Sequence, residues 1–229
     1  MKAGSQRNRQ TLLQRADFVV LEEGIVALAL HLSAEQHEQL FQYALLIQKW
    51  NQVYNLTAIR DAKSIITHHL LDSLSVVSVM KQALQKKTNP RILDVGAGAG
   101  LPGVVLAIAC PEWELTLVDT VQKKAVFMQQ AIGSLGLFNA KAIHVRVEEL
   151  SVPPFDVICS RAFSSIEKLI QLSGHLLLPS GFFAALKGKV EVDNQVPMDW
   201  SVDSLHWIKV PFLQEDRHLF VVRKNNLII

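Results

Sequence analysis

The chain has 229 residues, of which 49% are hydrophobic and 19% charged, with a formal net charge of +2. That balance excludes an intrinsically disordered chain, and the length suffices to bury a core without disulfides or a structural metal. Cys110 and Cys159 lack the spacing of a zinc module or of a secreted disulfide scaffold, so a reducing, cytoplasmic setting without a bound metal is expected.

The first stretch, 1–30, carries Lys2, Arg7, Arg9 and Arg15, but Glu22 and Glu23 interrupt what would be the apolar core of a signal peptide. A basic, partly ordered N-terminal extension is expected there. Residues 31–90 are expected to form a helical cap. Ser33 and Gln36 have capping-box spacing, and Leu40, Phe41, Ala44, Leu45, Ile47 and Trp50 continue a helical stripe. The mixed polar and aromatic segment 50–57 reads as a turn. After Asp61, a candidate N-cap, a second stripe runs through Ile65, Ile66, His69, Leu70, Leu74 and Val77, and 86–90 reads as a linker. Neighbouring helical residues point about 100° apart, so His68 and His69 do not chelate as a pair; His69 and Asp72, at i and i+3, read as a hydrogen-bonded pair docking the cap. No apolar run approaches the ~20 residues a membrane helix needs.

From 91 to 229 short β-branched runs alternate with helical ones. Strands are predicted at 91–95, 114–119, 142–145, 155–160 and 182–186, with helices at 101–110, 122–135 and 166–177. This alternation implies an α/β fold with a mostly parallel sheet and helices on both faces. The runs 207–210 and 219–222 flank a segment too short for a helix, which predicts a closing C-terminal antiparallel hairpin.

The strongest local signal follows the first strand: Asp94, then Gly96, Gly98, Gly100 and Gly103, with Leu101 and Pro102 between the last two. Glycines there let the backbone take positive φ and let a ligand approach it closely. Ligands of open parallel sheets sit at this carboxyl edge. The loop also satisfies the dinucleotide fingerprint, with Asp119 about 20 residues on, so a nicotinamide-dependent oxidoreductase is one reading. Against it stand the acid Asp94, Pro102 within the turn, and too little chain for a separate substrate domain. Asp119 can hold a ribose diol through two acceptor oxygens, or can cap the helix that follows. Val147 and Glu148, after the third strand, can offer an apolar face and an acceptor to an adenine.

The loop resembles motif I of class I S-adenosylmethionine-dependent methyltransferases. Segments 50–57, 69–74, 94–103, 146–149, 160–163, 186–188 and 217–219 together resemble the bacterial 16S rRNA guanine-N7 methyltransferase G family, formerly the glucose-inhibited division protein B family. The resemblance covers about 33–224 and implies a Rossmann-like class I methyltransferase domain with S-adenosyl-L-methionine as cofactor. It implies cofactor roles for Gly96, Leu101, Val147, Glu148 and Arg161, with Asp94 and Asp119 expected from the wider class and Gly98 and Gly100 completing the loop. The implied substrate is a guanine in the decoding-region loop of 16S rRNA, free or in the small ribosomal subunit. Guanine N7 has a free lone pair, so Arg161 is expected to position the reactants and no general base is expected. Arg146, Arg161, Lys187 and Lys189 are the candidate RNA contacts at the sheet edge, and Phe163 either stacks on a splayed base or packs in the core. Lys123 and Lys124 read as a solvated helix face. A monomer with no membrane partner is expected, and an RNA-binding assembly factor without turnover is the non-enzymatic alternative.

Overall fold

The structure is a computed structural model and describes residues 12–161, 163–188 and 196–225. Among the described residues, seven strands form one sheet: β1 (Arg91–Val95), β2 (Glu114–Asp119), β3 (Ala140–His144), β4 (Phe155–Ser160), β5 (Leu177–Lys187), β6 (Trp200–Trp207) and β7 (His218–Lys224). Their order is β3-β2-β1-β4-β5-β7-β6. β1 to β5 pair in parallel, while β7 pairs antiparallel with β5 and with β6. The expected α/β class and closing antiparallel hairpin are observed, but the hairpin's first strand is Trp200–Trp207, so the apolar run predicted at 207–210 lies in the connection after it. All six residues of β4 are buried, as a strand covered on both faces requires. The chain reverses its direction of winding beside β1, which pairs β2 on one side and β4 on the other, and this opens a crevice at the carboxyl edge.

The N-terminal helices cover one face. Residues 1–11 of the expected extension lie outside the described residues, while α1 (Arg15–Ala27) buries Leu21 and Ile25. In α2 (Ala34–Tyr54), Ser33 and Gln36 form the expected reciprocal capping box. The helix runs through the predicted turn to Tyr54, and the left-handed Asn55 (φ 50°) ends it. Trp50 explains the extension, because its ring packs on Phe127 at 5.4 Å and on Tyr54 at 4.9 Å, continuing the buried stripe by one turn.

The second stripe is not one helix. It divides into α3 (Ala62–Ile65), a π-helical turn over Ile66–Leu71, α4 (Asp72–Leu74) and α5 (Val77–Ala83), with Asp61 capping α3 through Ser64. The remaining helices are α6 (Gly103–Ala109), α7 (Gln122–Leu135) and α8 (Ile166–Ser173). Tyr43, Leu70, Leu106, Val157 and Leu219 belong to one core cluster that joins the cap to the sheet. A second cluster, including Ile158, Ile170, Phe183 and Val222, fills the opposite face under α8. Among the described residues no helix is long and apolar enough to cross a membrane.

Candidate functional site

The glycine loop joins β1 to α6 through three positive-φ glycines, Gly96 (67°), Gly98 (61°) and Gly100 (80°). A Cβ on Gly100 would lie 2.7 Å from the Val104 side chain and 2.9 Å from the Tyr43 hydroxyl, so that position excludes a side chain on two counts. Tyr43, fully buried on α2, donates its hydroxyl to the Ala99 carbonyl and so holds the loop from the cap side.

The loop's amides point inward. Gly96 and Ala97 donate to the Val118 carbonyl at 3.0 and 3.1 Å, and Gly100 and Leu101 donate to Ala97 at 2.8 and 2.9 Å. Gly98 donates to Asp119 Oδ2 at 2.9 Å and Gly103 to Asp94 Oδ2 at 2.8 Å. A pyrophosphate-binding loop needs such donors for its anion; here two carboxylates take two of them. The dinucleotide reading loses its physical basis at this point.

What the loop does border is a cavity of ≈ 270 Å³ lined by Gly96, Asp119, Val147, Glu148 and Phe163, with the exposed Arg146 also at its wall. Asp119, at the end of β2, accepts from Val121 N through Oδ1 at 2.8 Å while Oδ2 holds Gly98. It therefore serves the start of α7 as well as the loop, and each oxygen keeps acceptor capacity for a hydroxyl. Val118, Val147 and Phe163 supply apolar walls. Asp94 lies fully buried below the loop, and its Oδ1 has no hydrogen-bond partner among the described residues. Burial pushes its carboxyl up to about 7, against the opposing Gly103 amide. The spare acceptor capacity of Asp119 and the apolar walls fit a nucleoside, while Asp94, outside the cavity lining, braces the loop at Gly103.

A second cavity, ≈ 350 Å³, lies between the cap and the ends of β4 and β5; His68, His69, Asp72, Arg161, Lys187 and Arg217 line it. Asp72 is its hub. Oδ2 meets Arg161 Nη1 at 3.2 Å and Oδ1 meets Arg217 Nε at 2.9 Å. Arg161 also donates to the His68 carbonyl at 2.8 Å, and its Nη2 lies 3.2 Å from His69 Nδ1. The expected His69–Asp72 pair is thus replaced by two arginine pairs. The widened π turn is the reason, since residues three apart no longer overlie one another there.

His69 Nδ1 lies 3.2 Å from Arg161 Nη2 and 3.1 Å from the His68 carbonyl, and its Nε2 lies 2.9 Å from Thr57 Oγ1. Burial, aided by the Arg161 charge, pulls its pKa down to about 3. Its ordinary value is near 6.5, so the stability it contributes is present above pH 6.5 and is lost as pH falls toward 3. His69→Gln should remove this dependence. Between pH 6 and 4 the gap in unfolding free energy between wild type and variant should change by about 1.4 kcal/mol per pH unit, measured by urea titration. Parallel pH curves for the two proteins would refute the assignment.

The structure brings Gly96, Asp119, Val147, Glu148, Arg146 and Phe163 to one cavity, and Arg161 and Lys187 to the other. Leu101 is buried in the core, and Gly98 and Gly100 shape the loop without lining the first cavity. Lys187 Nζ donates to the carbonyls of Phe163 at 2.6 Å and Ser164 at 3.3 Å, holding the segment after β4. Lys189 lies outside the described residues. Sequence reasoning passed over Tyr43 and Arg217, and it gave Asp72 a different partner. Arg217 falls in a recognised segment, 217–219, but no local pattern assigns it a task.

A family model described as rRNA small subunit methyltransferase G matches residues 36–220. A ribosomal RNA small subunit methyltransferase G from Bordetella avium (strain 197N) is 44% identical over 207 residues, covering 90% of this chain and 92% of that protein. The protein of the same name from Acidovorax ebreus (strain TPSY) is 46% identical over 212 residues, covering 89% and 93%. Among solved structures, TrmN from Thermus thermophilus superposes with a TM-score of 0.53 at 15% identity, over 69% of this chain and 53% of that one, a likeness of fold.

Proposed function

The chain belongs to the rRNA small subunit methyltransferase G family, and on that premise we propose that it transfers a methyl group from S-adenosyl-L-methionine to N7 of a guanine in 16S rRNA. The observation that carries this reading is the inward-turned glycine loop, whose carboxylates Asp94 and Asp119 replace the anion a dinucleotide site would hold. The enzyme works in the cytoplasm as a monomer, on rRNA or the small subunit.

In this reading Asp119 takes the ribose diol, Val147 and Phe163 flank the adenine, Glu148 accepts from its amino group, and buried Asp94 holds the loop under the methionyl end. S-adenosyl-L-methionine supplies, when bound, a methyl carbon activated by its sulfonium. Arg161, tied to Asp72, His68 and His69, is a rigid wall of the neighbouring cavity, and that cavity receives the guanine. N7 carries no proton, and His69, with its pKa about 3, stays neutral near pH 7. No side chain therefore has to move a proton. Rate enhancement comes from alignment of nucleophile and methyl carbon, worth up to ~7–11 kcal/mol in well-oriented systems.

Two measurements test the proposal. S-adenosylmethionine or its demethylated product, at ~100-fold its Kd, should add ~2.7 kcal/mol of stability. That corresponds to roughly 5–11 °C in the thermal midpoint for a chain of this size. NAD should leave the midpoint in place. Mapping N7-methylguanine in 16S rRNA with and without the gene tests turnover, and an unchanged map would leave only the assembly-factor reading.

A further inference from the structure

The proposed chemistry needs a means of discriminating between purines. Adenine and guanine both offer a lone pair at N7, so a transferase acting on N7 must tell them apart at another atom. The nearest difference is at C6, where guanine carries an acceptor oxygen and adenine a donor amino group. A site that presents only donors to that position selects guanine, because adenine's amino group would be left facing a cation without an acceptor.

The acceptors around the cavity under the cap each receive a donor from the protein already. Asp72 gives one oxygen to Arg161 and the other to Arg217. The His68 carbonyl receives Arg161, the Asp216 carbonyl receives Arg217, and the Gly188 carbonyl pairs with His218 Nδ1 at 3.0 Å. Several donors are engaged as well. Lys187 is committed to the Phe163 and Ser164 carbonyls, and both terminal nitrogens of Arg161 are engaged on the cap. His68 Nε2 lies 3.5 Å from Glu215.

Arg217 is different. Its Nε is on Asp72 and its Nη1 on Asp216, while Nη2 has no partner among the described residues. The side chain lines the cavity and is 22% exposed, so this donor is fixed in direction and reachable. Ile59 and Leu186 supply apolar surface in the same cavity for a flat ring. Asp72, buried on the cap, fixes Arg217 just before β7 and Arg161 just past β4 with one carboxylate.

Building on the proposed guanine-N7 transfer, we propose that Arg217 is a specificity-determining residue that donates through Nη2 to guanine O6, and that Asp72 positions it. Binding O6 with one guanidinium nitrogen leaves N7 open to the methyl carbon, which a bidentate grip on O6 and N7 would not.

The test uses the full chain and defined 16S rRNA fragments carrying guanine, inosine or 2-aminopurine at the target position. Inosine keeps O6 and lacks the N2 amino group; 2-aminopurine keeps N7 and lacks O6. Wild type is expected to methylate guanine and inosine with similar kcat/KM and 2-aminopurine about 10- to 100-fold less well, the range of one hydrogen bond to a charged group. In Arg217→Met the guanine rate should fall while the ratio of guanine to 2-aminopurine drops toward the intrinsic reactivity difference of the two bases. A variant that is merely less stable would lose both rates together and keep the ratio. Arg217→Lys retains the ion pair with Asp72 but not the fork, and its ratio should also drop. Calorimetry with S-adenosylhomocysteine should give wild-type affinity for both variants. Unchanged discrimination in either folded variant overturns the role of Arg217. Failure of wild type to methylate N7 of guanine in any fragment or in the small subunit would instead remove the underlying function.

Discussion

Asp72→Ala is expected to cost about 3 kcal/mol of folding stability. The carboxylate is 6% exposed and receives two guanidiniums, each 22% exposed and carried on segments far from it in sequence. Breaking a buried ion pair by deleting one partner typically costs 3–5 kcal/mol, because the remaining charge stays desolvated and unpaired. Here two cations are left, but both keep some contact with water, which places the expectation at the lower end of that range. The corresponding fall in thermal midpoint is roughly 6–12 °C for a chain of this size. Asp72→Asn should cost nearly as much, since the amide restores the shape but not the charge. Urea unfolding of both variants at pH 7 measures the effect. A loss below 1 kcal/mol would show that the two arginines find other partners and that Asp72 is not the hub joining the cap to β4 and β7.

Asp119→Ala is expected to weaken S-adenosylhomocysteine binding by at least ~100-fold. The carboxylate does two things at once. It holds the amides of Gly98 and Val121 at 2.9 and 2.8 Å, and in the proposed complex it accepts from the ribose diol. Hydrogen bonds to a charged group contribute about 1.5–3 kcal/mol each, so losing both ribose bonds gives about 3 kcal/mol or more, two decades in Kd. The freed Gly98 amide adds to the loss by loosening the loop. Asp119→Asn keeps one acceptor and should fall between wild type and alanine. Isothermal calorimetry decides it, and a Kd within threefold of wild type for the alanine variant would place the sugar elsewhere. The two variants separate the cavities, since Asp72→Ala acts through the cap and Asp119→Ala through the cofactor side. Far-ultraviolet circular dichroism on both confirms that folded protein is being compared.

Local chemistry makes much of this molecule readable in its sequence. The capping box of Ser33 and Gln36 and the cap at Asp61 lie within three residues of their targets. The buried β1 and β4 appear as short apolar runs because both faces of a parallel strand are covered. Asp94 and Asp119 are legible as acids beside the glycine loop because each lies in or at the end of an apolar run at the carboxyl edge, and both hold amides of that loop. The boundaries of the cap helices were less legible. Trp50 prolongs α2 by packing on Phe127, a residue on α7 that no window around Trp50 contains. The π turn over Ile66–Leu71 shifts the register of His69 and Asp72, and hydrophobic periodicity does not report it.

The order and chemistry of the chain by themselves determined the α/β class, the glycine loop and the two acids that serve it, because each depends on contacts between near neighbours or on strand burial. Tertiary structure alone decided which basic residues share a cavity. Asp72 and Arg217 are 145 positions apart, and Asp72 and Arg161 are 89 apart. Charge pairing over such distances leaves no periodic trace in the sequence, since either arginine could meet any of several acids until the sheet order and the cap's docking bring one carboxylate between them. The same holds for Lys187 and Phe163, which the sequence offers as RNA contacts. The fold turns the first into a clamp on the second's carbonyl and sets the aromatic ring against the glycine loop.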